Sequence, residues 1–595
     1  MTQTEVCDTF DMQRTPCIRR RTQTFLAGLL LVVLSIAPTG CFVGEKYQPY
    51  YGRVVVRGSQ DFRWSDGGLP QTFDPAYAAA PPDTDLVRAI FEGLTDYDPR
   101  TLAPVPAVAT SWESPDEGRT WTFHLREDAR WSNGEVVTAK DFVDSWQRTA
   151  KIGDLAPHTN LLSNIRGAKP TPVVDKAIVS GKRGRQNLET RSRNTQSDQK
   201  RFGVEAVTDR QLRVHLQSPD LNFPALVAHP VFRPVKLTEE ASQQRIGPLG
   251  LISNGAFMLA KSEANRVLLE RAGNYWDKNE VNLERVEFVG AKNSEAALNA
   301  YRDGEVDAVT NSAFEPLALK LLAPYKDFRR ETYGALTYYS FNLSREPFDD
   351  VRVREALAIA IDRDRLSQDE LGGATEPAKK FLPDAMLGSR TVVDKAELLE
   401  KDIERARKLL ADAGFPAGDG FPIVRLLVNR NEQQRLVAHS IASMWRSALN
   451  IETEVIIKPW EEYEAAIRLG DYDIVRRGMV MQTTDELTNI RALFEQYPAS
   501  SEPGSAASAA GSSNNSTVAS SVRSADLNSK QVIQSETEAL NDLRAIPLYF
   551  ASSYALVKPY VSGFDSNVLD IPSLKHVRID TNWREPKSTV LSSLK

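Results

Sequence analysis

The spacing of apolar and polar residues changes period repeatedly along the chain. Thr120-Trp-Thr-Phe-His-Leu125 and Gln211-Leu-Arg-Val-His-Leu216 carry alternating β-branched, aromatic and polar positions, the pattern of half-buried strands, and Val54-Val55-Val56 reads as another strand. Ser294–Tyr301, Val351–Ile361, Ile403–Ala413, Gln433–Leu449 and Trp460–Leu469 instead repeat apolar residues every three or four positions, which predicts helices. Gly414 follows Lys408-Leu-Leu-Ala-Asp-Ala413 where a helix would end in the left-handed conformation. Strands and helices interleave, so the expected fold class is α/β. Two stretches break this texture. Residues 169–201 are polar and basic, as expected of an exposed insertion, and residues 499–524 form a Ser/Ala/Asn run with too little apolar surface to offset ordering entropy, so a disordered loop is expected. No repeat of 20–50 residues is visible, which argues against a solenoid or propeller.

The N-terminus carries a separate signal. Arg19-Arg20-Arg21 precede an uncharged apolar run from Phe25 to Ala37, the layout of an export signal. The run is too short for a comfortable membrane span, which needs about 20 apolar residues. Thr39-Gly40-Cys41 resembles the lipobox of bacterial lipoproteins, although Pro38 stands where that pattern prefers leucine. The resemblance implies removal of residues 1–40, acylation of Cys41 and a lipid anchor in a membrane, with 41–51 as a linker. An ordinary cleaved signal or an uncleaved anchor is the alternative, and Met12 is an alternative start.

Composition narrows the chemistry. The 595 residues hold 73 Lys+Arg against 79 Asp+Glu, for a formal net charge of −6, which argues against nucleic acid as the main partner. The three cysteines, Cys7, Cys17 and Cys41, are all N-terminal, so the body has no disulfide framework or cysteine zinc site. Histidines 124, 158, 215, 229, 439 and 576 are scattered without an HExxH spacing, and His124 and His215 sit in strand-like patterns. There is no phosphate loop, no nucleophile elbow and no dinucleotide fingerprint. The close acids Asp471/Asp473 and Asp349/Asp350 read as solvated turns. No metal or cofactor is expected, and an enzyme is the weaker class.

An ordered set of short segments carries a resemblance. It runs through Gln71-Thr-Phe-Asp-Pro75, Ile90-Phe-Glu-Gly-Leu94, Val108-Ala-Thr-Ser-Trp-Glu113, Ala129-Arg-Trp-Ser-Asn-Gly134 and Ser145-Trp-Gln-Arg148. It continues with Ser253-Asn-Gly-Ala-Phe257, Asn274-Tyr-Trp276, Tyr301-Arg-Asp-Gly-Glu-Val-Asp307, Pro347-Phe-Asp-Asp-Val-Arg-Val-Arg-Glu-Ala356 and Ala545-Ile-Pro-Leu-Tyr549. Together these resemble the family 5 extracellular solute-binding proteins, and within them the oligopeptide-binding proteins of ABC importers, over roughly residues 52 to 585. Many of the matched residues read as scaffold: Trp112, Trp121, Trp131, Trp146, Phe91 and Leu94 as core, and Gly134 and Gly304 as turn glycines.

The resemblance implies a two-lobed periplasmic-binding-protein-like fold of type II, with a ligand cleft between the lobes. Residues 52–91, 205–276 and about 550–590 are expected to form the first lobe, 92–204 its satellite subdomain, and 277–549 the second lobe, with crossings near Trp276 and Tyr549. It also implies a monomer that captures peptides or peptide-like solutes by lobe closure and delivers them to a membrane permease of an ABC transporter.

The same resemblance nominates a site. Arg476 matches an arginine that meets a ligand carboxylate, Trp460 an aromatic lining the cleft, and Asn254, Gly255 and Phe257 a loop that approaches the ligand backbone. Met479 stands where the family typically has tryptophan, and Gln482 where it has an aspartate that pairs with the peptide α-ammonium. Losing one member of a buried charge pair costs about 2–5 kcal/mol. Leu161 and Ala79 stand where peptide binders often carry polar or aromatic contacts. A degenerate member, acting as a surface or sensory lipoprotein with altered or lost ligand binding, is therefore the competing expectation.

Overall fold

The computed structural model describes residues 49–168, 202–237, 245–387, 399–495, 533 and 535–586. The expected export signal with Cys41, the expected insertion at 169–201 and the run at 499–524 lie outside them. The predicted helices form with small shifts at their ends. Glu432–Leu449 starts where the Asn431 side chain accepts the Gln434 N–H and stops at Asn450, whose φ is +57°. Between these caps Val437, Ala438, Ile441, Met444 and Trp445 bury one stripe. Ala139–Ile152 opens with a reciprocal Thr138/Asp141 capping box and buries Phe142 and Trp146. Gly414 does take a positive φ, +100°. Val54–Val56 is not a strand: the segment pairs with no neighbouring strand, and pairing begins at Asp61.

One hydrogen-bonded sheet runs through the body. Its order is Thr453–Lys458, Val424–Asn429, Ile474–Val480, Phe328–Phe341, Ala545–Val557, Ala308–Thr310, Asp61–Asp66, Arg285–Val289, Arg266–Arg271 and Phe257–Ser262. The two longest strands, Phe328–Phe341 and Ala545–Val557, pair antiparallel at its centre. The buried apolar residues divide on either side of them. Trp64, Phe123, Trp131, Trp146 and Phe288 belong to the first core, and Tyr338, Leu357, Trp445 and Ile474 to the second. This is the two-lobed α/β architecture.

The expected crossing near Trp276 does not fall there. Leu283, Val286 and Phe288 are fully buried in the first core, because Arg285–Val289 lies parallel to Asp61–Asp66 in register Phe62 to Val286. The chain passes between lobes within Phe328–Phe341, whose register against Ala545–Val557 slips between Thr332 and Leu336. It returns between Phe550, in the second core, and Ala555, in the first. The satellite also extends past residue 204: Ala109–Glu113 and Thr120–Leu125 share a four-stranded sheet with Gln211–His215 and Val204–Thr208. Among the described residues no helix is long and apolar enough to cross a membrane.

Candidate functional site

The second-lobe wall is built on Ile474–Val480. One edge of this strand pairs with Phe328–Phe341 along its whole length, from Ile474 against Phe341 to Val480 against Ala335. The other edge meets Val424–Asn429 only at Ile474 and Val475. From Arg476 to Val480 that edge is taken by no other described strand, and Gly478 and Val480 are exposed. Arg476 is half-buried and held by neutral groups: its Nε donates to Gln434 Oε1 at 3.1 Å and its Nη2 reaches Thr337 Oγ1 at 3.5 Å. Among the described residues it forms no ion pair with a carboxylate. The guanidinium folds back over Gly478, where a Cβ would stand 3.1 Å from Nη2.

Trp460 opens the helix Trp460–Arg468 and is 62% exposed, stacked on Tyr463 with ring centroids 5.5 Å apart. Tyr463 is buried, and its hydroxyl donates to the Arg476 carbonyl. Buried Gln434 completes the set, its amide nitrogen donating to the Tyr549 hydroxyl at 3.0 Å. A guanidinium with neutral partners beside an exposed aromatic face can receive an anionic group next to an apolar one.

Met479 faces the other way. It is 8% exposed, lies opposite Leu336 and packs into the second core. Gln482, just past the strand, meets the first lobe at His229, whose Nε2 lies 3.3 Å from the Gln482 Oε1. The His229 Nδ1 accepts the Val231 N–H at 3.2 Å, so the ring proton sits on Nε2 and is donated to the glutamine oxygen. His158 stands edge-on to His229, with centroids 4.8 Å apart, and its Nε2 meets the Ala79 carbonyl at 2.8 Å. Burial holds His229 well below the usual imidazole range, and His158 pushes it further down. A second bond joins the lobes, from Asn222 Nδ2 to Asp485 Oδ1 at 2.6 Å. Burial, reinforced by Asp485, pushes the Asp220 carboxyl up to about 6.

The loop at 254–257 is positioned by its own backbone contacts. Asn254 is 5% exposed and both ends of its amide are used on Glu92, with Oδ1 accepting the Glu92 N–H and Nδ2 donating to the Glu92 carbonyl, each at 3.0 Å. Gly255 lies so close to the Ile90–Phe91 backbone that a Cβ would come within 2.6 Å of the Ile90 carbonyl carbon. Phe257 is fully buried in the first core. The structure thus brings Arg476 and Trp460 together on one wall and places Gln482 at the junction of the lobes. Asn254, Gly255 and Phe257 act in packing the loop. Gln434, Tyr463, His158 and His229 were not singled out as site residues; His158, His229 and Gln482 come from three distant segments and no spacing links them. Among the described residues no cluster of three or more His, Cys, Asp or Glu side chains could hold a metal ion.

Two lobes joined by two long strands, with a guanidinium that has no carboxylate partner among the described residues and an exposed tryptophan on the same wall, define a cleft-type binding protein. The profile of the bacterial extracellular solute-binding proteins, family 5 Middle, matches residues 103–501, and the chain belongs to this family. The periplasmic murein peptide-binding protein MppA of Escherichia coli is 31% identical over 545 residues, 89% of this chain and 92% of that one. The periplasmic oligopeptide-binding protein OppA of the same species is 29% identical over 523 residues, covering 86% and 91%. Among solved structures, the murein tripeptide-binding protein MppA in its unliganded open form aligns with a TM-score of 0.68 and 26% identity, over 88% of this chain and 98% of that one. Another structure, of the Escherichia coli murein tripeptide binding protein MppA, aligns with a TM-score of 0.57 and 26% identity, over 88% and 99%.

Proposed function

We propose that this protein is an exported binding protein that captures peptides or peptide-like solutes in the cleft and hands them to the permease of an ABC importer. The observation that carries the reading is Arg476, a half-buried guanidinium held by Gln434 and Thr337 with no carboxylate partner among the described residues. In this reading it receives the ligand carboxylate, and Trp460 covers an adjacent apolar group. The edge of Arg476–Val480 that no other described strand covers, with the Arg476 carbonyl taken by Tyr463 and the Val480 carbonyl by Gln482, offers its remaining backbone groups to an extended ligand main chain, in the manner of strand addition. Groups reaching the ligand from both lobes favour the closed form, and closure follows from that difference in affinity.

The relatives named for peptides support the ligand class, and their periplasmic names support export. The lipobox-like Cys41 supports retention at a membrane through lipid. A thermal-shift screen of the purified protein against short peptides tests the reading. Stabilisation by peptides, weakened in Arg476→Ala, is expected; no stabilisation by any peptide overturns it.

A further inference from the structure

The short helix Pro316–Leu322 is apolar at every position except Lys320. Inward it supplies buried Leu322 to a small core with Tyr301, Val309 and Leu556. Outward it carries Leu317 and Leu321, which stand 68% and 64% exposed, one turn apart on the same face. A helix apolar all round is ordinarily covered all round, and nothing among the described residues covers this face. Leu469 is 81% exposed, but it is a lone apolar residue between Arg468 and Gly470. From Pro316 to Lys326 the chain holds two cations, Lys320 and Lys326, both exposed, and no acid; Glu315 precedes the helix at its N-cap. An apolar pair rimmed by cations fits the boundary between acyl chains and anionic headgroups.

The start of the body is pinned beside this helix. The Tyr51 N–H donates to both oxygens of buried Asp327, at 2.9 and 3.1 Å. The Tyr51 ring stacks on Tyr301 and meets Tyr325 edge-on, and the Arg53 N–H donates to the Arg302 carbonyl at 2.7 Å. Tyr325 and Asp327 follow the end of the helix by three and five residues. Cys41 precedes Tyr51 by ten residues, which reach about 33–36 Å at most. A folded chain of this length is about 60 Å across, so the tether is shorter than the body. With lipid on Cys41, the end of the body that carries Tyr51 and Pro316–Leu322 is the one kept at the membrane.

We infer that Pro316–Leu322 is the membrane-contacting face of the anchored protein, with Leu317 and Leu321 entering the headgroup layer and Lys320 and Lys326 meeting its phosphates. The inference rests on the lipid anchor at Cys41 proposed above. The tether makes the contact intramolecular, so two leucines and two lysines suffice where they would hold an unanchored protein only weakly. The contact gives the body a set orientation over the bilayer, which a tether alone does not.

The test uses the full chain, expressed with its export segment and reconstituted into vesicles of phosphatidylethanolamine and anionic phosphatidylglycerol, with the lipid on Cys41 checked by intact mass. No cysteine follows Cys41, so Leu321→Cys, Leu317→Cys and the control Leu469→Cys each take a single nitrobenzoxadiazole label. Lipid carrying a quencher near the headgroup is expected to quench the labels at 317 and 321 at least about twofold more strongly than the label at 469. Equal quenching at all three positions, in protein shown to carry its lipid, overturns the membrane contact and leaves the anchor standing. Labels at 317 and 321 that are shielded without quenching, in proportion to protein concentration, assign the face to a second copy and overturn the contact as well. An unacylated Cys41 overturns the anchor and the inference with it. All three substituted leucines are exposed, and either label on the helix serves if the other variant fails to fold.

Discussion

Asn254→Ala separates a ligand contact from a structural clamp. In the structure its amide pairs in both directions with the main chain of Glu92, across 162 residues of sequence. Removing the side chain deletes two buried hydrogen bonds, each worth about 0.5–1.5 kcal/mol net, and strands two desolvated backbone groups at about 1–3 kcal/mol each unless water enters. Water entry offsets part of that sum, so a loss of about 2–4 kcal/mol is expected. The effect is concentrated in the first lobe, because Glu92 also takes the Trp276 indole N–H at 2.7 Å and the Tyr275 hydroxyl. Urea unfolding followed by tryptophan fluorescence reports on this lobe, whose core holds Trp64, Trp121, Trp131 and Trp146. The variant is expected to unfold at clearly lower urea while the folded protein still binds peptide. Unchanged stability with lost binding would refute the assignment and place the Asn254 amide on the ligand.

Other expectations follow from buried charge. Glu536, 1% exposed, has its carboxyl pushed up to about 7 by burial. The folded pKa lies above the unfolded value of about 4.3, so this group lowers stability as pH rises from about 4 through 7. Glu536→Gln is expected to gain about 2–3 kcal/mol on the wild type between pH 5 and pH 8, read from urea midpoints; a constant difference across that range contradicts the burial argument. Asp74 is fully buried and receives Arg148 through two bonds, of 3.0 and 2.5 Å, and the Ile246 N–H at 3.0 Å. Asp74→Ala, which takes the carboxylate from a buried guanidinium, is expected to cost about 3–5 kcal/mol, whereas a loss below about 1 kcal/mol in thermal unfolding would show that Arg148 finds other support.

The helices and the α/β class were legible because a buried stripe at helical spacing is written directly in residues such as Val437, Ile441 and Trp445. The lobe boundary was not. A crossing made by a 14-residue strand, Phe328–Phe341, leaves no loop or composition change to mark it, and the pairing of Arg285–Val289 and Ala308–Thr310 with Asp61–Asp66, with Leu283, Val286 and Phe288 buried in the first core, reveals where these segments belong. Val54–Val56 has the residue types of a strand without a partner, and a strand is defined by its pairing. Within the site, Arg476 and Trp460 were reached through the resemblance, and their state follows only from geometry: one without a carboxylate partner among the described residues, the other exposed. The matched loop placed Asn254 near a ligand, whereas its amide is turned to Glu92. Gln482 stood out as a departure from the family, but its meaning depends on His229, which lies 253 residues away.

The central claim is that Arg476 receives the carboxylate of a captured peptide. Isothermal titration of N-acetyl-trialanine and its C-terminal amide into the wild type and Arg476→Ala tests it most directly, as a double-mutant cycle. Amidation and Arg476→Ala are each expected to weaken binding by about tenfold or more, with little further loss when the two are combined. An amide bound as tightly as the acid by the wild type, or losses that simply add, would contradict the claim.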